Sequence, residues 1–170
     1  MTKADLTVNF CGIDLENPYI LAAAPSSDEL EMLRNAFKTG WAGAVLKTTH
    51  TKDEIVDLAY PMMSSISYKG KRICALGNID LVSIYDIEEV CQRIQILKKE
   101  FPQKALMASM MASSQKDWTG LASRLAEAGA DVIECSFSCP QGSMGENPGA
   151  MLAQNAQLSK EVTSWVKKGA

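Results

Sequence analysis

Polar side chains that end apolar runs are the first candidates for chemistry in this chain of 170 residues. Cys139 precedes Pro140 and a glycine-rich segment, Gly142–Gly149. A thiol beside such a loop suits a nucleophile or a general acid, and a packed structural cysteine is the alternative. Lys47 ends another apolar run, where its ammonium needs an anion or an electron-rich ring. The alternative is a lysine that reaches solvent and pairs with a nearby carboxylate.

His50, Asn78 and Asp80 are further candidates. His50 is the one histidine, which excludes any site built on two histidines; it is either a base for Cys139 or an ordinary loop residue. Asn78 and Asp80 follow Gly77, and an amide beside a carboxylate can bind the donor–acceptor edge of a planar heterocycle. Alternatively, Asn78 forms a turn and Asp80 caps the next helix.

Composition narrows the class of protein. The chain is 46% apolar and 22% charged, with a net charge of −3, which is typical of one globular domain. With 17 basic against 20 acidic residues and no basic block, nucleic acid is not the expected partner. Every apolar run is shorter than the roughly 20 residues of a bilayer helix, and no secretory signal is evident. Five scattered cysteines without a C-x-x-C pair predict reduced thiols in the cytoplasm, with no metal site.

The elements that must position these residues alternate between strand and helix. After a short hairpin at 6–15, buried-strand patterns occur at 19–23, 42–47, 105–109 and 131–136, with helical patterns at about 30–37, 84–101, 117–128 and 154–168. This order predicts an α/β fold with a parallel sheet. It is either an open doubly wound sheet or part of a (β/α)8 barrel, of which four units are about half. In both, the site lies at the carboxyl ends of the strands.

Several segments together resemble one enzyme family, the dihydropyrimidine dehydrogenases, in their FMN-binding barrel. The related dihydroorotate dehydrogenases share the N-terminal hairpin and the Ser138-Cys139-Pro140 motif. The resemblance runs in order over nearly the whole chain and identifies residues 1–170 as the N-terminal half of a TIM-type barrel with its hairpin and first four β/α units. The matching segments are Asn17–Pro25, Ala36–Thr48, Leu76–Leu81, Ala108–Met111, Asp117-Trp118 and Ala128–Pro140.

The resemblance implies roles in cofactor binding and catalysis. Lys47 would lie against the flavin ring and stabilise negative charge on the reduced cofactor. The hydroxyl of Thr48 and the backbone of Ala22, Ala23 and Ala24 would approach FMN. Cys139 would give or take a proton at C5 of a pyrimidine while a hydride moves between flavin N5 and C6. The loop after Cys139 would close over the substrate.

The resemblance also implies a substrate subsite. Asn78 would hydrogen-bond the pyrimidine ring, with Asp80, Ser136 and Ser138 beside it. Asp80 and Ser136 stand where the family usually has Glu and Asn, which leaves a ring other than uracil or thymine open as the substrate.

Partners follow from the same resemblance. The family implies an iron–sulfur or NAD(P)–flavin electron-transfer subunit or domain, and its FMN phosphate site lies beyond the strands of this half. Two open sheet edges predict association, for example as a homodimer. Two other interpretations stay open: a catalytically silent binding or assembly domain, and a cysteine hydrolase that uses Cys139 with His50.

Overall fold

The computed structural model describes residues 4–51, 63–76, 82–139 and 151–170. The predicted substrate residues Asn78 and Asp80, and the glycine-rich segment after Cys139, lie outside the described residues. The strands are β1 (Val8–Phe10), β2 (Ile13–Leu15), β3 (Ile20–Leu21), β4 (Gly43–Thr49), β5 (Met63–Tyr68), β6 (Lys71–Leu76), β7 (Ala105–Met110) and β8 (Val132–Cys135). The helices are α1 (Leu30–Lys38), α2 (Ile87–Glu100), α3 (Gln115–Glu127) and α4 (Ala156–Gly169).

The four strands predicted to be buried form one parallel sheet in the order β3–β4–β7–β8. The antiparallel hairpins β1–β2 and β5–β6 accompany it. In β5–β6, Lys69 and Gly70 both have positive φ, the conformation that a tight hairpin turn requires. The described elements therefore confirm the α/β fold class and the four parallel β/α units.

Side-chain caps explain where the last three helices begin. Asp86 accepts the amide of Glu89 at 3.0 Å and forms a capping box with it at the start of α2. Ser114 and Asn155 cap α3 and α4 without such a box, by accepting the amides of Asp117 and Leu158. The cap of α2 is thus Asp86, so the alternative that Asp80 caps this helix is wrong. α1 begins without a side-chain cap, after a turn of 3₁₀ helix at Pro25–Ser27.

The two faces of the sheet carry different cores. The outer face packs against the helices through alternate strand residues such as Leu46, Leu106 and Met110. On the inner face, Val45 and Met107 pack with Leu15 of the β1–β2 hairpin. Up to Leu46 on β4, and along β7, side chains therefore alternate between the outer face and the inner face.

Ion pairs join the helices to each other and to the sheet. The Arg34 guanidinium donates to both carboxylate oxygens of Glu100, at 2.7 and 2.5 Å, and so links α1 to α2. Lys98 on α2 donates to Asp131 at 2.8 Å, and Asp131 also accepts the amide of Leu106 at 2.7 Å. This carboxylate fixes the start of β8 against β7. Among the described helices, none is long and apolar enough to cross a membrane.

Gly43 marks a close approach between β4 and β7. A Cβ at this position would lie 2.8 Å from the carbonyl oxygen of Ala105, which is closer than real Cβ contacts. We predict that Gly43→Ala lowers the free energy of unfolding by about 1–3 kcal/mol, because the strands must separate. Urea unfolding followed by circular dichroism measures the change.

The matched control is Gly120→Ala on α3, where an added Cβ meets nothing within 4 Å. Alanine has the higher helix propensity, so this variant should be as stable as the unaltered chain or more stable by about 0.5–1 kcal/mol. Equal stability of the Gly43 variant and the unaltered chain would contradict the close approach.

Candidate active site

A β-bulge at the end of β4 brings two consecutive side chains to the inner face. Leu46 is paired with Ala108 and Thr49 with Met110, so β4 has one residue more than β7 between these pairs. Both paired residues of β7 belong to the outer core. Lys47 and Thr48, which lie between the pairs, are therefore both directed inward.

The bulge places Thr48 beside Ser109 of β7. The two hydroxyl oxygens are 3.0 Å apart, and Ser109 is 1% exposed. Lys47 is 8% exposed, so most of its side chain is buried. The predicted flavin residues Lys47 and Thr48 thus lie together at the carboxyl end of β4, with Ser109 next to them.

Ser109 and Glu134 are inner-face residues for which no role was predicted. Ser109 is paired with Glu134 of β8, and Glu134 lies between Ile133 and Cys135, which both pack on the outer core. Lys47, Thr48, Ser109 and Glu134 therefore form a polar layer above the apolar inner residues. Alternation along β7 from Met107 and along β8 from Val132 places Ser109 and Glu134 on the inner face and can be seen in the sequence. The bulge in β4, which brings Lys47 and Thr48 to the same face, has no clear signature in the sequence.

The alanines after β3 are only partly available to a ligand. Ser27 accepts the amide of Ala24 through its hydroxyl oxygen at 3.0 Å and also donates to the Ala24 carbonyl at 3.0 Å. The backbone of Ala24 is thus used within its own turn. Ala22 is exposed and Ala23 partly buried, and these two precede that turn at the carboxyl end of β3.

A hydrogen-bonded frame fixes the backbone behind the polar layer. The amide of Ser83 donates to the carbonyl of Thr48 at 2.8 Å, and the Ser83 hydroxyl donates to Asp28 at 2.6 Å. Arg93 of α2 donates to the Asp28 carbonyl and lies over the ring of Tyr85, 3.4 Å from its centroid. The end of β4 is therefore joined to the segments before α1 and α2.

His50 is part of this frame. It is buried, with Nδ1 2.7 Å from the carbonyl oxygen of Thr51 and Nε2 3.2 Å from that of Ser83. A ring nitrogen that donates to a carbonyl cannot accept the proton of a thiol at the same time. These contacts favour a structural histidine over the base of a cysteine hydrolase.

The segment that carries Cys139 is anchored by an aromatic pair. Phe137 lies edge-on to the buried Trp118 of α3, with ring centroids 6.0 Å apart. The carbonyl of Phe137 accepts the amide of Ala153 at 2.9 Å, and the amide of Ser136 donates to Met110 at 2.9 Å. These bonds hold the segment after β8 along the end of β7.

The predicted residues of this segment differ in exposure. Ser138 is exposed, whereas Ser136 and Cys139 are partly buried, with Cys139 packed against the outer core. Of the predicted site residues, Lys47 and Thr48 therefore lie together at the end of β4. Ser136–Cys139 follow β8, which is separated from β4 by β7. The roles of these residues remain predictions.

Two other thiols have the character of structural cysteines. Burial raises the pKa of Cys135, and the neighbouring Glu134 carboxylate raises it further. Burial likewise raises the pKa of Cys91. A thiol with a raised pKa is protonated at neutral pH and a poor nucleophile. Within the described ranges, no group of three or more His, Cys, Asp or Glu side chains is arranged to hold a metal ion.

Comparison with known proteins places the chain beside two groups of dehydrogenases. No protein-family model matches it. The chain is 32% identical to the NAD-dependent dihydropyrimidine dehydrogenase subunit PreA of Escherichia coli over 99% of its own length and 40% of the relative. It is 29% identical to the chloroplastic dihydropyrimidine dehydrogenase (NADP(+)) of Arabidopsis thaliana over 97% of its length and 40% of that protein.

A third relative belongs to the second group. The chain is 28% identical to the catalytic subunit of dihydroorotate dehydrogenase B (NAD(+)) of Methanothermobacter thermautotrophicus, over 95% of its length and 49% of the relative. The chain thus spans less than half the length of each of these three relatives. These similarities over nearly all of its residues confirm the predicted resemblance: the chain is similar in sequence to the dihydropyrimidine and dihydroorotate dehydrogenases.

Proposed function

We propose that residues 1–170 are the N-terminal half of an FMN-binding barrel whose reaction is oxidation or reduction at the C5–C6 bond of a pyrimidine-like ring. The observation that carries this proposal is the inner-face group of Lys47 and Ser109, which are buried, and Thr48, which is partly buried and lies 3.0 Å from Ser109 between hydroxyl oxygens. A cation and two hydroxyls at the carboxyl ends of parallel strands match the place where such barrels bind ligands. The names of the relatives supply the type of reaction and substrate.

The donor set fits a flavin. Lys47 offers a positive charge that is largely shielded from solvent, where it would stabilise negative charge on a ring bound nearby. Thr48 offers a hydroxyl, and the backbone at Ala22 and Ala23 follows the neighbouring strand β3. When bound, FMN would supply hydride transfer to or from the substrate ring.

The proton step falls to Cys139. Its thiol would give a proton to C5 of the ring in the reductive direction and take it back in the oxidative one. Phe137, held by Trp118 and by Ala153, would fix the approach of this thiol. Ser136 and Ser138, together with Asn78 and Asp80, would bind the polar edge of the ring.

The cofactor assignment predicts a coloured chain. After incubation with FMN and desalting, the purified chain should retain a flavin absorption spectrum. Lys47→Ala should weaken FMN binding roughly tenfold or more, since a hydrogen bond to a charged group contributes about 1.5–3 kcal/mol. Flavin fluorescence quenching measures both affinities.

Lys116→Ala is the matched control, because Lys116 is exposed on α3. It should bind FMN as tightly as the unaltered chain. A chain that folds but emerges colourless from desalting would contradict FMN binding by these 170 residues.

If Cys139 carries the proton step, Cys139→Ala should lose turnover and keep its affinity for FMN. Oxidation of a dihydropyrimidine, followed with an artificial electron acceptor and FMN, should fall about 10²–10⁴-fold, as is typical when a general acid or base is removed. FMN affinity should stay the same. Cys74→Ala, which removes an exposed thiol of the β5–β6 hairpin, should keep full activity. Equal turnover by the Cys139 and Cys74 variants would exclude Cys139 as the proton donor.

We propose an electron-transfer partner as well. The Escherichia coli relative is named a subunit and NAD-dependent, which supports an iron–sulfur or NAD(P)–flavin subunit or domain as the source or acceptor of electrons. The cysteines of this chain lack the spacing of a cluster site.

An assembly role is the second candidate, favoured by exposed apolar side chains. On β5–β6, Ile66 and Ile73 are cross-strand partners that are 65% and 44% exposed, and Tyr68 is 56% exposed. In the described sheet, β3 and β8 are the outermost strands, so a second copy could pair along them.

This candidate predicts a homodimer. Light scattering of the purified chain should give twice the mass of one chain at micromolar concentration. A mass of one chain at every concentration tested would count against pairing through these edges. The Cys139→Ala variant separates the two candidates, because a silent assembly domain should dimerise unchanged and have no activity to lose.

A further inference from the structure

We propose that Ser109 is a positioning residue that sets the direction of the Thr48 hydroxyl, so that Thr48 presents a hydrogen-bond donor to an acceptor atom of the flavin ring. The inference rests on the proposed function, because it concerns the same site. It adds a residue for which neither the resemblance nor the comparisons supply a role. Ser109 acts through Thr48 and does not itself touch the cofactor.

The first step is the position of the two hydroxyls. Ser109 is 1% exposed at the end of β7, whereas Thr48 is only partly buried on the bulge of β4. Their oxygens are 3.0 Å apart, a normal hydrogen-bond distance. Of the two, Thr48 is therefore the residue whose surface a ligand can reach at the carboxyl end of the sheet.

The second step is the count of protons. Each hydroxyl has one proton to donate and two lone pairs. One of the two protons is used between Ser109 and Thr48, and the other remains for an acceptor elsewhere. Because Ser109 is enclosed, the arrangement that serves a ligand has Ser109 donating to Thr48 and Thr48 donating outward. Lys47 beside it is a donor as well, so the group favours a ligand edge rich in acceptors, such as ring carbonyl oxygens and nitrogens.

The third step is the rigidity of the Thr48 backbone. Its carbonyl accepts the amide of Ser83 at 2.8 Å, and Ser83 is itself fully buried and bound to Asp28. The bulge and this bond fix the main chain on two sides. What remains to be fixed is the rotation of the hydroxyl, and Ser109 supplies that constraint.

A double-mutant cycle tests the proposal in the full chain. FMN affinity is measured by fluorescence quenching for Ser109→Ala, Thr48→Val and the double variant, together with the absorption maximum of bound FMN. Thr48→Val should weaken binding about three- to tenfold, as expected for the loss of one hydrogen bond. Ser109→Ala should weaken it by a similar or smaller factor and shift the absorption maximum in the same direction. The double variant should bind no more weakly than Thr48→Val alone.

Two controls separate positioning from stability. Val45→Ala removes apolar volume one step below Lys47 on the same inner face, so it should lower the melting temperature but leave the absorption maximum of bound FMN in place. Thr48→Ser keeps the hydroxyl and should keep most of the affinity. If Ser109→Ala does not fold, Ser109→Cys repeats the test, because it retains the volume and replaces the hydroxyl with a weak donor.

Three results would overturn the inference, and they differ in what else they affect. Unchanged affinity and spectrum in Ser109→Ala would remove Ser109 from the site and leave the flavin proposal intact. If Ser109→Ala weakened FMN binding by the same factor in the unaltered chain and in the Thr48→Val variant, Ser109 would act independently of Thr48. Absence of FMN binding by the unaltered chain would overturn both the cofactor assignment and this inference.

Discussion

A parallel sheet must be covered on both faces, and the rest of this structure depends on how that requirement is met. Helices cover the outer face, where Leu46, Leu106 and Met110 pack into one large core. The inner face is covered by the N-terminal hairpin at its base, where Leu15 packs against Val45 and Met107. Above these residues the inner face turns polar. The sheet thus carries a core at its base and a polar layer at its carboxyl end.

On the inner face, the change from apolar core to polar layer occurs within one strand, β4. Up to Leu46, β4 alternates between the two apolar cores, and alternation alone would send only one of the next two residues inward. The additional residue in β4 directs both Lys47 and Thr48 to the inner face. A cation and a hydroxyl then stand side by side, which strict alternation does not allow. The frame of Ser83 and Asp28 holds this irregular backbone in place.

Much of this arrangement is visible in the sequence. Continuous apolar runs predict buried parallel strands, and the predicted positions of Lys47, Thr48 and the Cys139 segment at strand ends agree with the fold. The position of the bulge is not predictable, because it depends on the register between β4 and β7 and not on the residue types in β4. The role of His50 is equally hidden, since its partners are main-chain carbonyl oxygens, one of them 33 residues away. The caps of the helices were only partly evident: Asp86 and Glu89 form a recognisable pair, whereas α1 begins without a side-chain cap.

The segment after β8 continues the alternation of its strand, so its neighbouring positions 136 and 137 face different surroundings. Phe137 turns toward the helices and is locked against Trp118, while Ser136 follows Val132 and Glu134 on the inner side. A change at position 136 alters the inner side of this segment without removing a residue from the large core. A change at 137 does the reverse. Single substitutions on the inner side of this segment can therefore change the polarity of that face at little risk to folding.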